Sequence, residues 1–412
     1  MGTVQIANYK LAEQIYESDI SLVYKTKKAA QAPQTILKVL KSGIPSDKEL
    51  VRFHQEFKHT NQIDSPYVIK VWGIVQTPEL AALAVEDFDG ESLALTVKRN
   101  QLSLLESLDI AIDVVKGLRD IHQQHTIHRD VSPANIVCNL ETGITKIIDF
   151  GNASSLNEQV TPVSVGRLEG NLKYMSPEQT GRMNRPVDYR TDFYSLGVTL
   201  YELFTGLPPF NVLSAHELIH CHIAKLPKAP CEVEPNIPYS LSEIVLKLMA
   251  KNADERYKSA LGILADLEEV KRQLKATGTV KVFDIGTKDQ YACFVIPAKL
   301  YGRDNEVVKL ITAFKSVCKG SLELTLVTGY SGVGKTSLVQ ELYRPVASAG
   351  GHYICGKYDQ YQRNIPYSAL ATAFSQYFDQ MLAEPKEKLN DSLFFFSACS
   401  TFTRPSTCCL AR

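Results

Sequence analysis

The chain has 412 residues, with 45 Lys+Arg against 45 Asp+Glu. With no net charge, nothing global draws it to nucleic acid or to an anionic membrane. Hydrophobic residues make up 44% and charged residues 22%, which is ordinary for globular protein and enough for two or three domains with full cores. No run approaches the roughly 18 apolar residues of a membrane span, and the opening MGTVQIANYK has no apolar signal core. The 9 cysteines are scattered without a Cys-x-x-Cys pair, which speaks for free thiols and against a zinc site. The expectation is a cytoplasmic protein with no membrane segment.

In chain order, short apolar segments at Tyr9–Leu11, Leu22–Tyr24 and Thr35–Leu40 read as strands. A charged periodic stretch over 47–60 fits a helix, and 67–73 and 81–86 read as two more strands, making a small β-rich lobe. Ser103 and Glu106 form a capping box ahead of Leu104, Leu105, Leu108, Ala111, Ile112, Val115 and Leu118, which recur at helical spacing. A second apolar helix over 192–205 ends at Gly206 before Pro208-Pro209. Helical patterns continue to about residue 275, and weak periodicity over 276–298 suggests a linker. From Leu300 a new αβ pattern begins, with a strand expected over 322–328.

Two ordered motifs lie between the helices: His128-Arg129-Asp130-Val131-Ser132-Pro133-Ala134-Asn135, then Lys146-Ile147-Ile148-Asp149-Phe150-Gly151. They place two acids and an amide as phosphoryl transfer to a hydroxyl requires. Asp130 can accept the hydroxyl proton, and Asn135 and Asp149 can hold Mg²⁺ against ATP phosphates. Lys38 in TILKVL and Glu56 in RFHQE precede them in the order of a phosphate-gripping lysine and its ion partner. Over residues 9–270 the chain resembles the eukaryotic-type Ser/Thr protein kinases. The resemblance implies Asp130, Lys38 and Glu56 as catalytic residues. It implies Asn135 and Asp149 as the metal ligands. It adds Ile15, Val23, Glu86 and Phe88 to Lys38 as the ATP-binding set, with backbone groups of Val85-Glu86-Asp87-Phe88 reading adenine. It also implies that Asp192 starts the helix bracing the catalytic loop, and makes Ser154, Ser155, Thr161 and Ser164 candidate phosphorylation sites.

The sequence departs from that family in two places. The phosphate-covering loop should carry three glycines, but Tyr16, Ser18 and Ser21 stand in their places, with Glu17 and Asp19 adding negative charge. The family's lysine after the HRD triplet is Ser132, and its threonine after Gly170 is Asn171. Losing one transition-state cation can cost on the order of 10²–10³ in rate. These changes set a second reading beside the kinase: an ATP-binding pseudokinase module that regulates an attached nucleotide switch.

That switch is the second site. Gly329-Tyr330-Ser331-Gly332-Val333-Gly334-Lys335-Thr336 is a complete Walker A motif between an apolar run and a helical one. Gly329, Gly334, Lys335 and Thr336 are its expected nucleotide and Mg²⁺ contacts. With Leu300-Tyr301-Gly302-Arg303-Asp304-Asn305-Glu306 upstream, it resembles AAA-like signalling ATPases. The order of the two regions resembles the N-terminal part of bacterial multi-sensor kinases, best known from cyanobacteria, in which a sensor and a histidine kinase follow. No apolar run ending in Asp or Asp-Glu follows between 370 and 412, so this ATPase region is expected to be incomplete.

The expected fold is therefore an α+β two-lobed protein kinase at 1–272 (small lobe about 1–88, large lobe about 89–272). A linker at 273–298 and the N-terminal part of an α/β P-loop NTPase at 299–391 follow. Residues 392–412, with three of the nine cysteines, read as an atypical tail, out of frame or disordered. The expected partners are ATP, a protein substrate with a Ser/Thr acceptor, and downstream sensor or histidine kinase domains or proteins, with no nucleic acid.

Overall fold

The computed structural model describes residues 5–6, 9–18, 21–26, 34–41, 46–77, 80–99, 102–155, 171–181, 187–212, 214–290, 302–330, 333–342, 345–346, 349, 351, 353–356, 367 and 369–375. In chain order the elements are β1 (Gln5–Ile6), β2 (Tyr9–Glu17), β3 (Ser21–Thr26), β4 (Thr35–Leu40), α1 (Asp47–Asn61), β5 (Val71–Thr77), β6 (Leu80–Glu86), β7 (Glu91–Ser92), α2 (Leu93–Arg99), α3 (Leu104–Gln123) and β8 (Thr126–Ile127). They continue with β9 (Ile136–Asn139), β10 (Ile144–Ile147), β11 (Ser154–Ser155), α4 (Arg190–Thr205), α5 (Ala215–Ala224), α6 (Pro230–Val233), α7 (Tyr239–Leu248), α8 (Ala260–Thr277), α9 (Asp304–Val317) and α10 (Lys335–Gln340). The chain divides into two units. One holds Met1–Gln159, Asp188–Pro209 and Lys228–Phe294; the other holds Val160–Val187, Phe210–Pro227 and Val295–Arg412.

In the first unit an antiparallel sheet runs in the order β1-β2-β3-β4-β6-β5. Alternation in β4 sends Leu37 and Val39 to one face, against Ala82 and Ala84 of β6. Leu40, Ala81 and Leu83 meet Phe53 of α1. Lys38 is thereby held on the central strand, opposite Val23 of β3 and Leu83 of β6.

The strand expected at 67–73 lies instead at 71–77. Val68 and Ile69 are buried, but they are drawn out of the sheet onto the end of β10. The Ile69 amide donates to Ile147 O and the Ile147 amide to Tyr67 O. The same apolar residues satisfy burial in either place, so their composition alone does not select the sheet.

The helical part forms around α3, whose Ser103–Glu106 capping box is present in both directions. Helix α4 ends, as expected, at Gly206, which adopts the left-handed conformation with φ 72°. A three-stranded sheet, β10-β9-β7, and a two-stranded one, β11-β8, carry the loops between. Helix α8 continues past the boundary expected at 272, to Thr277, where Gly278 at φ 70° stops it. The start of the expected linker is also tied down. Asp289 accepts from the Lys258 and Ser259 amides at the α8 N-terminus, and Asp266 accepts from the Gly286 amide. The remaining linker residues, 291–298, lie outside the described residues.

In the second unit, α5 places His222 edge-on to Phe210, and α9 and α10 pack together. The strand expected over 322–328 is a correction. These residues form no strand, and Leu322, Leu324 and Leu326 are 80%, 97% and 85% exposed. An apolar β-run needs neighbouring strands to pair with and layers to cover it, and among the described residues none pairs with it. The atypical tail lies outside the described residues. Among the described residues no helix is long and apolar enough to cross a membrane.

Candidate active site

The catalytic loop is organised by one buried carboxylate. Asp192, fully buried at the start of α4, accepts hydrogen bonds from the His128 amide at 2.9 Å, the Arg129 amide at 2.7 Å and His122 Nε2 at 2.8 Å. A carboxylate stripped of water requires such donors, and satisfying it fixes the loop. Arg129 is thereby held at φ 66°, a strained conformation for a non-glycine residue. His128 is itself buried. Its Nδ1 accepts from the Asp130 amide at 3.3 Å and its Nε2 donates to Ile148 O at 3.1 Å, while its ring stands edge-on to Phe150 at 4.9 Å. The loop bearing Asp130 is thus bound directly to the strand end bearing Asp149.

Asp149 also has a positive φ, 64°. Its Oδ1 takes the Lys38 ammonium at 2.9 Å and the Gly151 amide at 3.1 Å. Lys38 reaches Glu56 at 2.7 Å on its other side. The expected Lys38–Glu56 pair is therefore formed, with Asp149 as a third member. Burial opposes charge at all three groups. The two carboxylates outweigh it at Lys38 and hold its ammonium above the usual lysine range. Lys38 likewise outweighs burial at Asp149 and draws that carboxyl down to about 2. At Glu56 burial dominates and pushes the carboxyl upward, against the pull of Lys38. Gly151 lies close against this cluster: a Cβ there would stand 3.1 Å from Asp149 Oδ1.

Asn135 donates from Nδ2 to Asp130 O at 2.9 Å, and its own carbonyl receives the Ile148 amide. Among the described residues its Oδ1 and Asp149 Oδ2 make no hydrogen bond. Two hard oxygens from the protein, completed by phosphate and water, are what Mg²⁺ takes in such sites.

At the hinge, the Glu86 side chain accepts from Lys146 and the Lys70 amide, and the Glu86 amide donates to Lys70 O. The Phe88 carbonyl is taken by Asn139 Nδ2. Lys25 of β3 reaches Asp89 at 2.9 Å and Asp87 at 3.7 Å. Ile15 is 43% exposed on β2. In the hairpin that should carry glycines, Ser18 and Ser21 bond to each other. The Ser18 amide donates to Ser21 O at 2.8 Å, the Ser21 amide to Ser18 Oγ at 2.9 Å, and the hydroxyls lie 3.0 Å apart. Lys41 pairs with Glu17 beside them and offsets one of its two acids; Asp19 lies outside the described residues.

Of the candidate phosphorylation sites, Ser154 is buried in β11, Ser155 is partly buried beside it, and Thr161 and Ser164 lie outside the described residues. The sequence reading missed Arg52 and Asn152. Arg52 donates to Asn152 Oδ1 and, at 3.0 Å, to Gly151 O; Asn152 Nδ2 donates to Asp130 Oδ2 at 3.0 Å. Arg52 sits one turn before Glu56, a spacing that could have flagged it. Asn152 carried no signal beyond following the glycine of the second motif.

In the second unit, Gly334 takes φ 88° at the start of α10. The Lys335 ammonium donates to the loop's own carbonyls, Gly329 O and Tyr330 O, at 2.7 Å each. Thr336 is exposed beside it.

This geometry brings Lys38, Glu56 and Asp149 into direct contact and ties Asn135 and Asp130 beside them, in a structure with a sheet-rich lobe and a helical one. The chain belongs to the protein kinase family, whose domain profile matches residues 9–266. The AAA ATPase domain profile matches residues 299–400. Similar proteins include the hybrid signal transduction histidine kinase G of Dictyostelium discoideum, 39% identical over 375 residues, covering 70% of this chain and 11% of that protein. A probable serine/threonine-protein kinase of Clostridium perfringens is 32% identical over 299 residues, covering 72% of this chain and 43% of that protein. Serine/threonine-protein kinase PknB of Mycolicibacterium smegmatis is 32% identical over 269 residues, covering 64% and 43%. The chain therefore spans less than half the length of each of these relatives.

Proposed function

We propose that this chain is an ATP- and Mg²⁺-dependent Ser/Thr protein kinase belonging to a signalling protein. The observation that carries the reading is the Lys38 ammonium seated between Glu56 and Asp149, 2.7 and 2.9 Å away. The lysine is thereby charged and aimed at the acid that would hold the metal. Asp130 receives the proton of the acceptor hydroxyl, and Asn135 and Asp149 hold Mg²⁺, which neutralises charge on the phosphates when bound. Lys38 orients those phosphates. Val23, opposite Lys38, and Ile15 cover the nucleotide, and the backbone at Glu86 and Phe88 reads adenine. The kinase domain on this reading runs through Thr277. The P-loop region from 299 is a second nucleotide site, for which Lys335 must leave its own loop carbonyls. Sensor or histidine kinase partners are supported by the similarity to a hybrid histidine kinase. The test is phosphoamino-acid analysis after incubation with ATP and Mg²⁺ and a generic protein acceptor. Phosphoserine or phosphothreonine is expected; an unlabelled product, or phosphate on other residues alone, contradicts the assignment.

One observation favours the second reading, a pseudokinase module. The Ser18 hydroxyl caps the Ser21 amide within the hairpin, where a glycine at 18 would leave that amide free for phosphate. That reading requires nucleotide binding without any Asp130-dependent transfer.

A further inference from the structure

Arg52 and Glu56 lie one turn apart on α1 and share a face. Each reaches one of the two acids of the site through one intermediary. Glu56 holds Lys38, and Lys38 holds Asp149. Arg52 holds Asn152, and Asn152 holds Asp130. The sense of the second chain is fixed by chemistry. A guanidinium only donates and an ionised carboxylate only accepts, so an amide between them must turn its oxygen to Arg52 and its nitrogen to Asp130. Arg52 also pins the Gly151 carbonyl at 3.0 Å, so the backbone leading into Asn152 is held along with its side chain. Ser132, two residues from Asp130, is buried and brings no charge to the site. One polar contact to the carboxylate arrives from 22 residues downstream.

We propose that Asn152 is a positioning residue for Asp130, and that the Arg52–Asn152 relay makes the orientation of this carboxylate depend on the placement of α1. The proposal deepens the kinase assignment and rests on it for its kinetic consequence. A helix that carries both arms bears on both acids together: moving α1 away takes Glu56 from Lys38 and Arg52 from Asn152 in one step, releasing the two groups that hold Asp149 and Asp130. The relay also gives a site without the family's lysine a neutral donor to its base.

The test compares the parent chain with Asn152→Leu, which removes both bonds, and Asn152→Asp, which keeps the size but turns an acceptor toward Asp130. Misplacing a reacting group costs on the order of 10- to 100-fold. The kcat for phosphate transfer is expected to fall by that much in Asn152→Leu and further in Asn152→Asp. The KM for ATP should stay within about twofold, because the Lys38–Asp149 arm is intact. Hydrogen–deuterium exchange should rise in peptides covering 128–136 and stay unchanged in 104–123. An unchanged kcat in Asn152→Leu overturns the proposal, as does a parallel change in kcat and KM with exchange rising throughout. If Asn152→Leu fails to fold, the isosteric Asn152→Asp decides by the same readouts. If the parent itself transfers no phosphate, the kinase assignment fails separately. Exchange at 128–136 then decides the relay: a rise in the variants supports it, and no change overturns it.

Discussion

Lys38 is the residue on which the site turns. It joins two acids that would otherwise repel each other, and Glu56 is buried enough that it cannot be left alone. Removing one partner of a buried pair strands the other charge, at a cost of about 3 kcal/mol. Lys38→Met is therefore expected to lose about that much unfolding free energy in urea titrations. Lys38→Met/Glu56→Leu should recover part of it, because the stranded charge is gone. The pH dependence follows from Asp149. Its carboxyl, normally near 3.8, is drawn down to about 2 in the folded chain. A depressed acid stabilises the fold above its unfolded pKa and loses that contribution as pH falls through the folded one. Stability should thus decline between about pH 4 and pH 2 with a component that Asp149→Asn removes, measured as the difference in urea midpoint between the two proteins at each pH. Lys38, Glu56, Asp130, Asn135 and Asp149 were legible in the sequence because each sits in a short motif whose order carries the chemistry. Asn152 was not, because its partner Asp130 is 22 residues away and meets it only once the loop is folded.

At the scale of elements, the sequence wrote its helix ends more clearly than its strands. Ser103 and Glu106 cap α3 reciprocally, with the Ser103 amide donating to Glu106 at 2.8 Å. Ser46 and Glu49 do the same for α1. Both are local, four-residue patterns that need no tertiary partner. Ser103→Ala is expected to lower stability by about 1 kcal/mol, read from thermal or urea unfolding, with no change in the midpoint slope. Strands depend on what lies beside them. Val68 and Ile69 have the composition of sheet residues and are buried, yet they pack on the end of β10, and β5 begins only at Val71. The run at 322–328 has the same composition and forms no strand among the described residues. Apolar, β-branched sequence states that a segment wants a partner without saying which one is present. The glycine-free hairpin is the counterpart on the functional side. The sequence revealed the missing glycines but not the Ser18–Ser21 bonds or the Lys41–Glu17 pair that close the turn in their place.

Across the whole molecule, a protein kinase domain and an AAA ATPase domain follow one another, at 9–266 and 299–400. Helix α8 runs to Thr277, and the Asp289 and Asp266 contacts tie the residues that follow back to it. On the proposed function, this chain transfers phosphate with Asp130 as its base, despite an altered phosphate loop and Ser132 in place of a lysine. The most direct measurement is transfer of label from γ-labelled ATP, with Mg²⁺, by the full chain and by Asp130→Ala side by side. Label is expected on protein from the parent chain, and its loss, by a factor on the order of 10² or more, in Asp130→Ala. Equal labelling of the two, or none from a parent chain that binds the nucleotide, would contradict it.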